Sequence, residues 1–544
     1  MRIRIILSCV LILVPSGIAQ EHTHAGRERL GTVHFASSCN REAQDELDRA
    51  VALLHSFEFS SAIAGFNAAL RDDATCDIAY WGIALSQWSN PFALGQKDKS
   101  QFQAGQAAVE QGTKATIKTE RERDYIAAVA ALYTNYENTS QHARLIAYRD
   151  RMETLAAKYP TDHEAQIFYA LAIAESEDPG DKTYAGRMKA GAILERLFEE
   201  EPNHPGLAHY IIHTYDVPPL APRALQAAQR YSEIAPDAPH ALHMPSHTFT
   251  RIGYWQDSIS SNLRAAAAAK REGETAEELH ASDYEVYAYL QTGQDEAAGR
   301  VVDSLPEIAT RFDPRKMIGG ATSPSVGYFA LAAIPARYAL ERGDWKQAAL
   351  LAPRDTPFLY TQAITWFARG IGSARMGDAK PAYDSADRLK EIREQLRKSG
   401  ENYWALQVQI EEAEVRAWAM LADGRKDEAL RSMESAAVLE DGTEKSAITP
   451  GPLAPAHELY GEMLLKVDQP VFARAQFELS LKKEPGRFRS IYGAALAAQL
   501  AGRHDLSKSY FRELLKACEH GDRPGRPELI EAKRVTSQTQ LSAQ

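Results

Sequence analysis

The amino-acid sequence predicts an all-α protein in which antiparallel helix pairs stack one after another into a solenoid. Apolar residues recur at helical spacing, as in residues 56–70, where Phe59, Ile63 and Phe66 share one face. The alternation of apolar and polar residues that is typical of β-strands is nearly absent. A turn followed by an aromatic residue also returns repeatedly along the chain, which indicates repeated helix pairs.

The composition is that of a large globular protein with an acidic balance of charge. The chain has 544 residues, of which 44% are apolar and 25% are charged, and its formal net charge is −11. This length fits several domains or one long array of repeats. The negative charge argues against nucleic acid or an anionic membrane as the main partner.

The recurring turn has a defined sequence. Gly253 is followed two residues later by Trp255, and the segment RGDWKQAALLAP at 342–353 repeats the pattern. Pro202 and Pro236 lie 34 residues apart. Each helix pair leaves an apolar face that only a neighbouring pair can cover, so the repeats must stack.

These features resemble the tetratricopeptide repeat family, which has a turn glycine, an aromatic residue two positions later, small residues where helices touch and a closing proline. The resemblance covers most of residues 40–515, although the spacing is not uniform. It implies a right-handed superhelix in which the first helix of each pair lines a concave groove that binds proteins or peptides. The window HALHMPSHTFTRIG also resembles uncharacterised exported bacterial repeat proteins, and that resemblance implies no activity.

The first nineteen residues have the features of a secretory signal peptide. Arg2 and Arg4 precede an apolar run at residues 5–14, and the small residues Gly17 and Ala19 fit a cleavage site. The run is too short to span a bilayer, and no later stretch is long and apolar enough. The sequence therefore predicts an exported protein, periplasmic or extracellular.

Composition shifts divide the rest of the chain. Two loops rich in Gly, Pro, Ser and Thr are candidate breaks between sub-arrays of helices. The predicted segments are a signal peptide at 1–19, an N-terminal segment at 20–39, a helical array at 40–311, a loop at 312–325, a middle array at 326–438, a loop at 439–453, a C-terminal repeat pair at 454–520 and a frayed polar tail at 521–544.

The cysteines that remain after cleavage are Cys39, Cys76 and Cys518. In an oxidising compartment a Cys39–Cys76 disulfide is expected, and two buried free thiols are the alternative. Cys518 is then the unpaired one, and we expect it to be a small buried apolar group on the last helix.

One window is unlike the rest of the scaffold. Residues 204–247 contain six of the 16 histidines of the chain. His209 and His213 are spaced i, i+4 and so lie on one helix face, and His243 and His247 form a second such pair. The two pairs are offset by one 34-residue repeat, the same spacing that separates Pro202 from Pro236.

The resemblance to the repeat family implies that both pairs face one groove from neighbouring first helices. His240 and, in the next repeat, His280 and Asp283 fall at matching positions. The candidate metal ligands are His209, His213, His240, His243, His247, His280 and Asp283. Asp216, Arg251 and Tyr287 lie nearby on the same faces and are candidates for supporting them.

Imidazole is the commonest protein metal ligand, and a carboxylate completes many sites. Without a nearby thiolate the set suits Zn(II), Cu(II), Ni(II) or Fe(II) rather than Cu(I). Two other interpretations remain open. The histidines line a peptide groove in which Arg251 pairs with a carboxylate of the ligand, or they are buried packing residues.

Pro245 breaks a rule inside this window. It lies between His243 and His247, where a proline cannot donate its backbone hydrogen bond, and it should kink or end the helix. A kink would re-aim both histidines. Such a local conflict within a polar cluster is where function is expected.

Enzyme signatures are mostly lacking. HYIIH at 209–213 lacks the glutamate of a zinc-peptidase helix, and no nucleophile-elbow or phosphate-loop motif is convincing. The sequence therefore favours an exported binding protein that holds a metal ion with histidines and binds a protein or peptide in its groove. A metal-free interaction scaffold is the first alternative, and a metal-dependent hydrolase or oxidase is the second.

Overall fold

The computed structural model describes residues 28–92, 99–115, 119–178, 180–317 and 321–537. The predicted signal peptide and the last seven residues lie outside them. Every regular element within these ranges is helical, so the all-α prediction is confirmed.

The helices follow one another through short turns. The N-terminal half comprises α1 Arg41–His55, α2 Phe59–Asp72, α3 Ala79–Trp88, α4 Lys99–Lys114, α5 Glu120–Ala130, α6 Gln141–Lys158, α7 His163–Glu175, α8 Ala185–Glu200, α9 Pro205–Thr214, α10 Leu225–Ile234, α11 Pro239–His243, α12 Pro245–Arg251, α13 Trp255–Glu272 and α14 Thr275–Gln291. The C-terminal half comprises α15 Asp295–Arg311, α16 Pro324–Glu341, α17 Trp345–Leu350, α18 Leu359–Arg375, α19 Ala379–Lys398, α20 Asn402–Ala422, α21 Lys426–Asp441, α22 Ala456–Lys466, α23 Pro470–Lys483, α24 Phe488–Leu500, α25 His504–Ala517 and α26 Pro527–Ser537.

Neighbouring helices pack as antiparallel pairs. The contacts are densest between helices adjacent in the chain, such as α13 with α14 and α19 with α20, which are joined by turns of two or three residues. Contacts to the next helix but one link successive pairs, for example α14 with α16 and α18 with α20. Helices that are far apart in the array are also in contact, as α1 is with α9 and α14 is with α24.

The recurring glycine has a backbone reason. Gly253 and Gly343 end their helices with φ of 75° and 66°, in the left-handed region that side chains with a Cβ rarely adopt. The following N–H then reaches back to close the turn, as Asp344 N does to Ala339 O at 2.9 Å. Trp255 begins the next helix and donates from its ring to Gly486 O at 3.1 Å.

The structure joins Cys39 to Cys76 in a disulfide that ties the start of α1 to the turn before α3. The extended segment before α1 is anchored as well, because Phe35 is fully buried and stacks on Trp81 with ring centroids 4.8 Å apart. Cys518 is a buried free thiol, as expected. It follows α25, however, and is not on the last helix.

The chain breaks at Pro245, where the sequence indicated a kink. Met244 separates α11 from α12, and the backbone bonds there shorten to a three-residue step, from His247 N to Met244 O at 3.1 Å. The two short helices together occupy one helix position in the array. Pro239 begins α11, where its missing N–H costs nothing.

The second of the two glycine-rich loops is more than a break between helices. Residues 442–455, here called the covering loop, bind side chains from three distant parts of the chain. Glu444 accepts from Lys182 at 2.7 Å, and Lys445 donates to Asp216 at 3.2 Å. Arg337 donates to Gly451 O at 2.9 Å. Glycine- and serine-rich composition signalled a turn but carried no information about these partners.

The C-terminal tail differs from the expected frayed segment. Residues 527–537 form α26, which packs on α25 and buries Leu529 and Ala532. Arg526 leads into this helix and donates to Asp295 at 2.6 Å from a buried position. Leu529 and Ala532 lie three positions apart and so form one apolar face that packs on α25, although the surrounding sequence is polar.

Across the part of the chain that is described, no helix combines the length and the apolar character needed to cross a membrane.

The Cys39–Cys76 disulfide gives the first testable prediction. It closes a loop of 37 residues, for which chain-entropy arguments give about 3–4 kcal/mol of stabilisation. Replacing both cysteines by serine should therefore lower the temperature of the earliest unfolding transition in calorimetry, because helices near the disulfide lose cooperativity first.

The matched control is Cys518→Ser, which removes a thiol that takes no part in a disulfide. It should leave the earliest transition nearly unchanged under oxidising conditions. An unchanged transition in the double variant would contradict the disulfide.

Candidate functional site

Six histidines from three successive first helices meet in the interior. His209 and His213 come from α9, His240 and His243 from α11, His247 from α12 and His280 from α14. Each is at most 5% exposed. The structure thus brings together all six histidines that the sequence selected. They fall into two groups of three, each with one ligand-capable atom per residue within 4.8 Å of the others.

The first group comprises His209, His213 and His240. His209 donates from Nδ1 to His55 O at 2.6 Å, so its Nε2 carries a lone pair. The Nδ1 of His240 lies 3.4 Å from Glu277 Oε1. The Nε2 atoms of all three rings are buried and have no hydrogen-bond partner within the described ranges. The group therefore contains three unpartnered ring nitrogens, of which at least that of His209 carries a lone pair.

The second group comprises His243, His247 and His280. Asn262 donates from its amide to Ser258 O at 2.8 Å, which turns its oxygen toward His243 Nδ1 at 2.7 Å. Asp216 Oδ2 lies 3.1 Å from His247 Nδ1. Both Nδ1 atoms must therefore carry the proton.

The consequence is an unusual contact between two rings. His243 Nε2 and His247 Nε2 lie 3.1 Å apart. Since each neutral ring keeps its proton on Nδ1, the two facing atoms present lone pairs to each other and cannot hydrogen-bond. Ligands about 2.0–2.1 Å from a tetrahedral ion are separated by about 3.3 Å, which is close to this spacing.

The electrostatics keep five of the six rings neutral. Burial lowers the pKa of His209, His213 and His243 well below the usual 6.5 and that of His280 to about 3. Burial also lowers the pKa of His247, although Asp216 opposes the shift. A neutral imidazole has the lone pair that a metal ion requires.

Asp216 stays ionised beside His247 because two cations surround it. Arg251 donates to Asp216 Oδ1 at 2.8 Å, and Lys445 donates to Oδ2 at 3.2 Å. Burial alone would raise the pKa of Asp216, but Lys445 and Arg251 hold it well below its ordinary value. Arg251 also faces Glu484 at 3.7 Å. Asp216 thus contacts the cluster directly, and Arg251 reaches it through Asp216.

The two groups share one cavity. Ring centroids of His213 and His247 lie 5.8 Å apart, and those of His240 and His243 lie 6.2 Å apart. A cavity of about 30 Å³ lies between them and is lined by members of both groups, His213, His240, His247 and His280. That volume fits one or two water-sized ligands.

Two loops that are distant in the sequence cover part of the cavity. Ala447 and Ile448 of the covering loop line it, together with Ala321 and Thr322 from the loop before α16. Tyr284 donates to the covering loop, with Ala447 O and Thr449 O each at 3.2 Å. The sequence pattern placed the histidines on a concave face, but it could not show that two distant loops cover that face.

Asp283 and Tyr287 have other partners. Arg337 donates to Asp283 Oδ1 at 2.8 Å, and both side chains are 1% exposed. Tyr287 contacts Arg487 and Glu484. The helical turn after His280 brings Tyr284 to the histidine rings, with its ring centroid 5.2 Å from that of His280. Asp283 lies three residues after His280, and its side chain contacts Arg337 of α16 rather than the histidines.

A third group of buried histidines was not predicted from the sequence. His55 and His204 each bond through Nε2 to one oxygen of Glu164, at 2.9 and 3.0 Å. Their Nδ1 atoms are engaged as well, by Tyr210 OH at 3.0 Å and by Leu207 N at 3.4 Å. All four ring nitrogens and both carboxylate oxygens are satisfied. These residues therefore form a hydrogen-bonded network, and no local motif in the sequence signals it.

Comparison with known proteins assigns no family. No protein-family model matches the chain, and no curated protein matches it in sequence. Among solved structures, the human IFIT1 dimer with m7Gppp-AAAA is similar at 11% identity and a TM-score of 0.36, over 88% of this chain and 95% of that one.

Two further solved structures are similar at the same low level. Yeast Tom70 shares 11% identity with a TM-score of 0.28, over 92% of this chain and 96% of that one. The P58(IPK) TPR domain shares 15% identity with a TM-score of 0.22, over 70% and 99%. At these TM-scores the similarities identify neither a family nor a function.

The protonation pattern of the cluster can be tested in metal-free protein by NMR of ¹⁵N-labelled histidines. His209 and His243 should be neutral Nδ1–H tautomers at about pH 7. They should remain so at about pH 5.5, where an ordinary histidine is mostly protonated, because burial depresses their pKa.

Asn262→Ala supplies the matched control. It removes the acceptor of His243 and leaves the backbone acceptor of His209 in place. Only His243 should lose its fixed tautomer. Protonation of both rings at about pH 5.5 in the unaltered protein would refute the buried neutral cluster.

Proposed function

We propose that this protein binds a transition-metal ion through its buried histidine cluster. The observation that carries the proposal is the 3.1 Å approach of His243 Nε2 to His247 Nε2, with both Nδ1 atoms engaged by oxygen acceptors. Two lone pairs held face to face repel each other unless a cation lies between or beside them. A metal ion supplies that cation.

The surroundings of the rings fit the same role. Metal-bound imidazoles are normally oriented by a carboxylate, amide or backbone oxygen on the other ring nitrogen. Asp216 does this for His247, Asn262 for His243 and the carbonyl of His55 for His209. These partners fix the ring orientation before an ion arrives, which lowers the entropic cost of binding.

The donor set favours borderline metals. All six ligand-capable residues are histidines, and the free thiol of Cys518 packs by the turn at Gly293, away from them. Imidazole nitrogen suits zinc, copper, nickel and iron ions. Asp283 is excluded from the proposed ligands because Arg337 occupies it.

A second candidate function is metal-independent binding of a peptide side chain. The covering loop also lines a second cavity, of about 120 Å³. On one side it has the stacked rings of Tyr360 and Trp404 and the carboxyls of Glu411 and Glu414, and its lining also includes the cations Arg251, Arg337, Lys445 and Lys483. Aromatic faces attract a cationic side chain. Burial raises the pKa of Glu411 to about 8 and that of Glu414 as well, so these carboxyls would ionise when a cation pairs with them. Titration calorimetry with a lysine-containing peptide, compared between the unaltered protein and Trp404→Ala, tests this candidate.

Elemental analysis tests the metal proposal. The purified protein, or metal-free protein reconstituted with zinc, copper or nickel, should contain stoichiometric metal after extensive dialysis. His243→Gln/His247→Gln should retain clearly less metal, because it removes two ligands whose spacing already matches an ion. Circular dichroism should show the same helical signal.

The matched control is His204→Gln, which alters a buried histidine of the hydrogen-bonded network with Glu164. This variant should keep its metal even if its stability falls. Bound metal should also raise the melting temperature of the unaltered protein, since the ion binds only the folded chain. A protein that takes up no metal under any of these conditions would overturn the proposal.

A further inference from the structure

We infer that the cluster holds two metal ions, one in each group of three histidines, and that the two ions share a small oxygen-donor ligand such as water or hydroxide. This inference rests on the proposed metal binding and specifies its stoichiometry and its ligand. It is carried by the way the six rings divide, by the parallel support that each group receives and by the single cavity between the groups.

The division into two groups comes first. His209, His213 and His240 supply one set of mutually close ligand atoms, and His243, His247 and His280 supply another. Three imidazoles are a complete protein ligand set for an ion that keeps a fourth position open. Six imidazoles exceed what a single four-coordinate ion can use.

The two groups are also supported in the same way. In each group a carboxylate contacts one ring: Glu277 contacts His240 in the first group, and Asp216 contacts His247 in the second. In each, a second ring is backed by a neutral carbonyl oxygen, through His55 O on His209 and Asn262 on His243. Two ligand sets with equivalent outer partners indicate two equivalent centres.

The repeat explains how this duplication arises. His209 and His213 recur one repeat later as His243 and His247, at an offset of 34 residues. Neighbouring first helices lie about 8–10 Å apart, so equivalent side chains project to adjacent places. Each pair then acquires its third ring from the first helix of the next repeat, His240 on α11 for the first and His280 on α14 for the second.

The shared ligand follows from the cavity. His213 and His240 of the first group and His247 and His280 of the second line the same space of about 30 Å³. An atom there is adjacent to both groups at once. The lining residues include Phe92, Met244 and Ile448, which offer no oxygen ligand, and also Asn90, Thr322 and Ser323, which carry side-chain oxygens. The covering loop limits this ligand to water size, because the volume fits only one or two such molecules.

Two ions in so buried a place need compensating negative charge, because Arg251 and Lys445 already pair with Asp216. Neutral imidazoles contribute no negative charge, so the ions depend on nearby carboxylates and on an anionic bridge. Glu277 and Asp216 stand behind one ring of each group. A hydroxide between the ions would supply charge compensation at the point where their repulsion is greatest.

Copper(II) loading with spin counting tests the inference. The unaltered protein should bind about two copper ions per chain, while electron paramagnetic resonance should detect far fewer than two spins, because an oxygen bridge couples the unpaired electrons magnetically. After acid denaturation the full copper(II) signal should return, which shows that the metal was not reduced.

Variants that disable one group each provide matched controls. His209→Gln/His213→Gln and His243→Gln/His247→Gln should each bind about one copper ion with about one detectable spin. Should either variant fail to fold, spin counting on the unaltered protein still decides the matter.

The outcomes separate this inference from the proposed function. Two copper ions with two full spins would overturn the shared ligand. One ion per chain would overturn the pair while leaving metal binding intact. No bound ion after loading with copper, and none with zinc or nickel, would overturn both.

Discussion

The histidine cluster depends on one constraint, which is that neutral imidazoles are buried with their lone pairs directed at one another. His243 and His247 face each other through Nε2 at 3.1 Å, and Asn262 and Asp216 prevent either ring from turning its proton inward. In water such rings would be solvated, but here they are at most 1% exposed. The packing of the scaffold must hold this arrangement in place against the repulsion of the lone pairs.

The repeat architecture supplies that packing. Successive first helices place equivalent residues side by side, so a histidine pair on α9 meets a histidine pair on α11 and α12. The break at Pro245 divides the second helix between its two histidines and sets their relative aim. The covering loop then encloses the cluster, and Arg337 fastens that loop through Gly451 O and Thr449 Oγ1 while it neutralises Asp283.

The buried histidines are of two kinds, which differ in whether hydrogen bonds satisfy their ring nitrogens. His55, Glu164 and His204 satisfy one another completely through hydrogen bonds, so they stabilise the fold without any further ligand. The six clustered histidines are as deeply buried, yet His209, His213, His240 and His280 each leave a ring nitrogen without a partner in the described ranges. Burial is common to both sets, and the unused lone pairs distinguish the one that suits a metal.

The sequence by itself determined the helical class, the turn glycines, the break at Pro245 and the six histidines, because each depends on local spacing or on a repeat that local spacing exposes. The sequence also predicted Asp283 as a member of the cluster, because helical periodicity assigns a residue to a face but does not identify its partner. In the structure that partner is Arg337. Glu277, Asn262 and the covering loop were decided only by the tertiary structure. These residues reach the histidines from other helices or from distant segments, and short-range sequence patterns do not predict such contacts. The division of one histidine cluster into two groups was likewise visible only when the ring nitrogens could be placed in space.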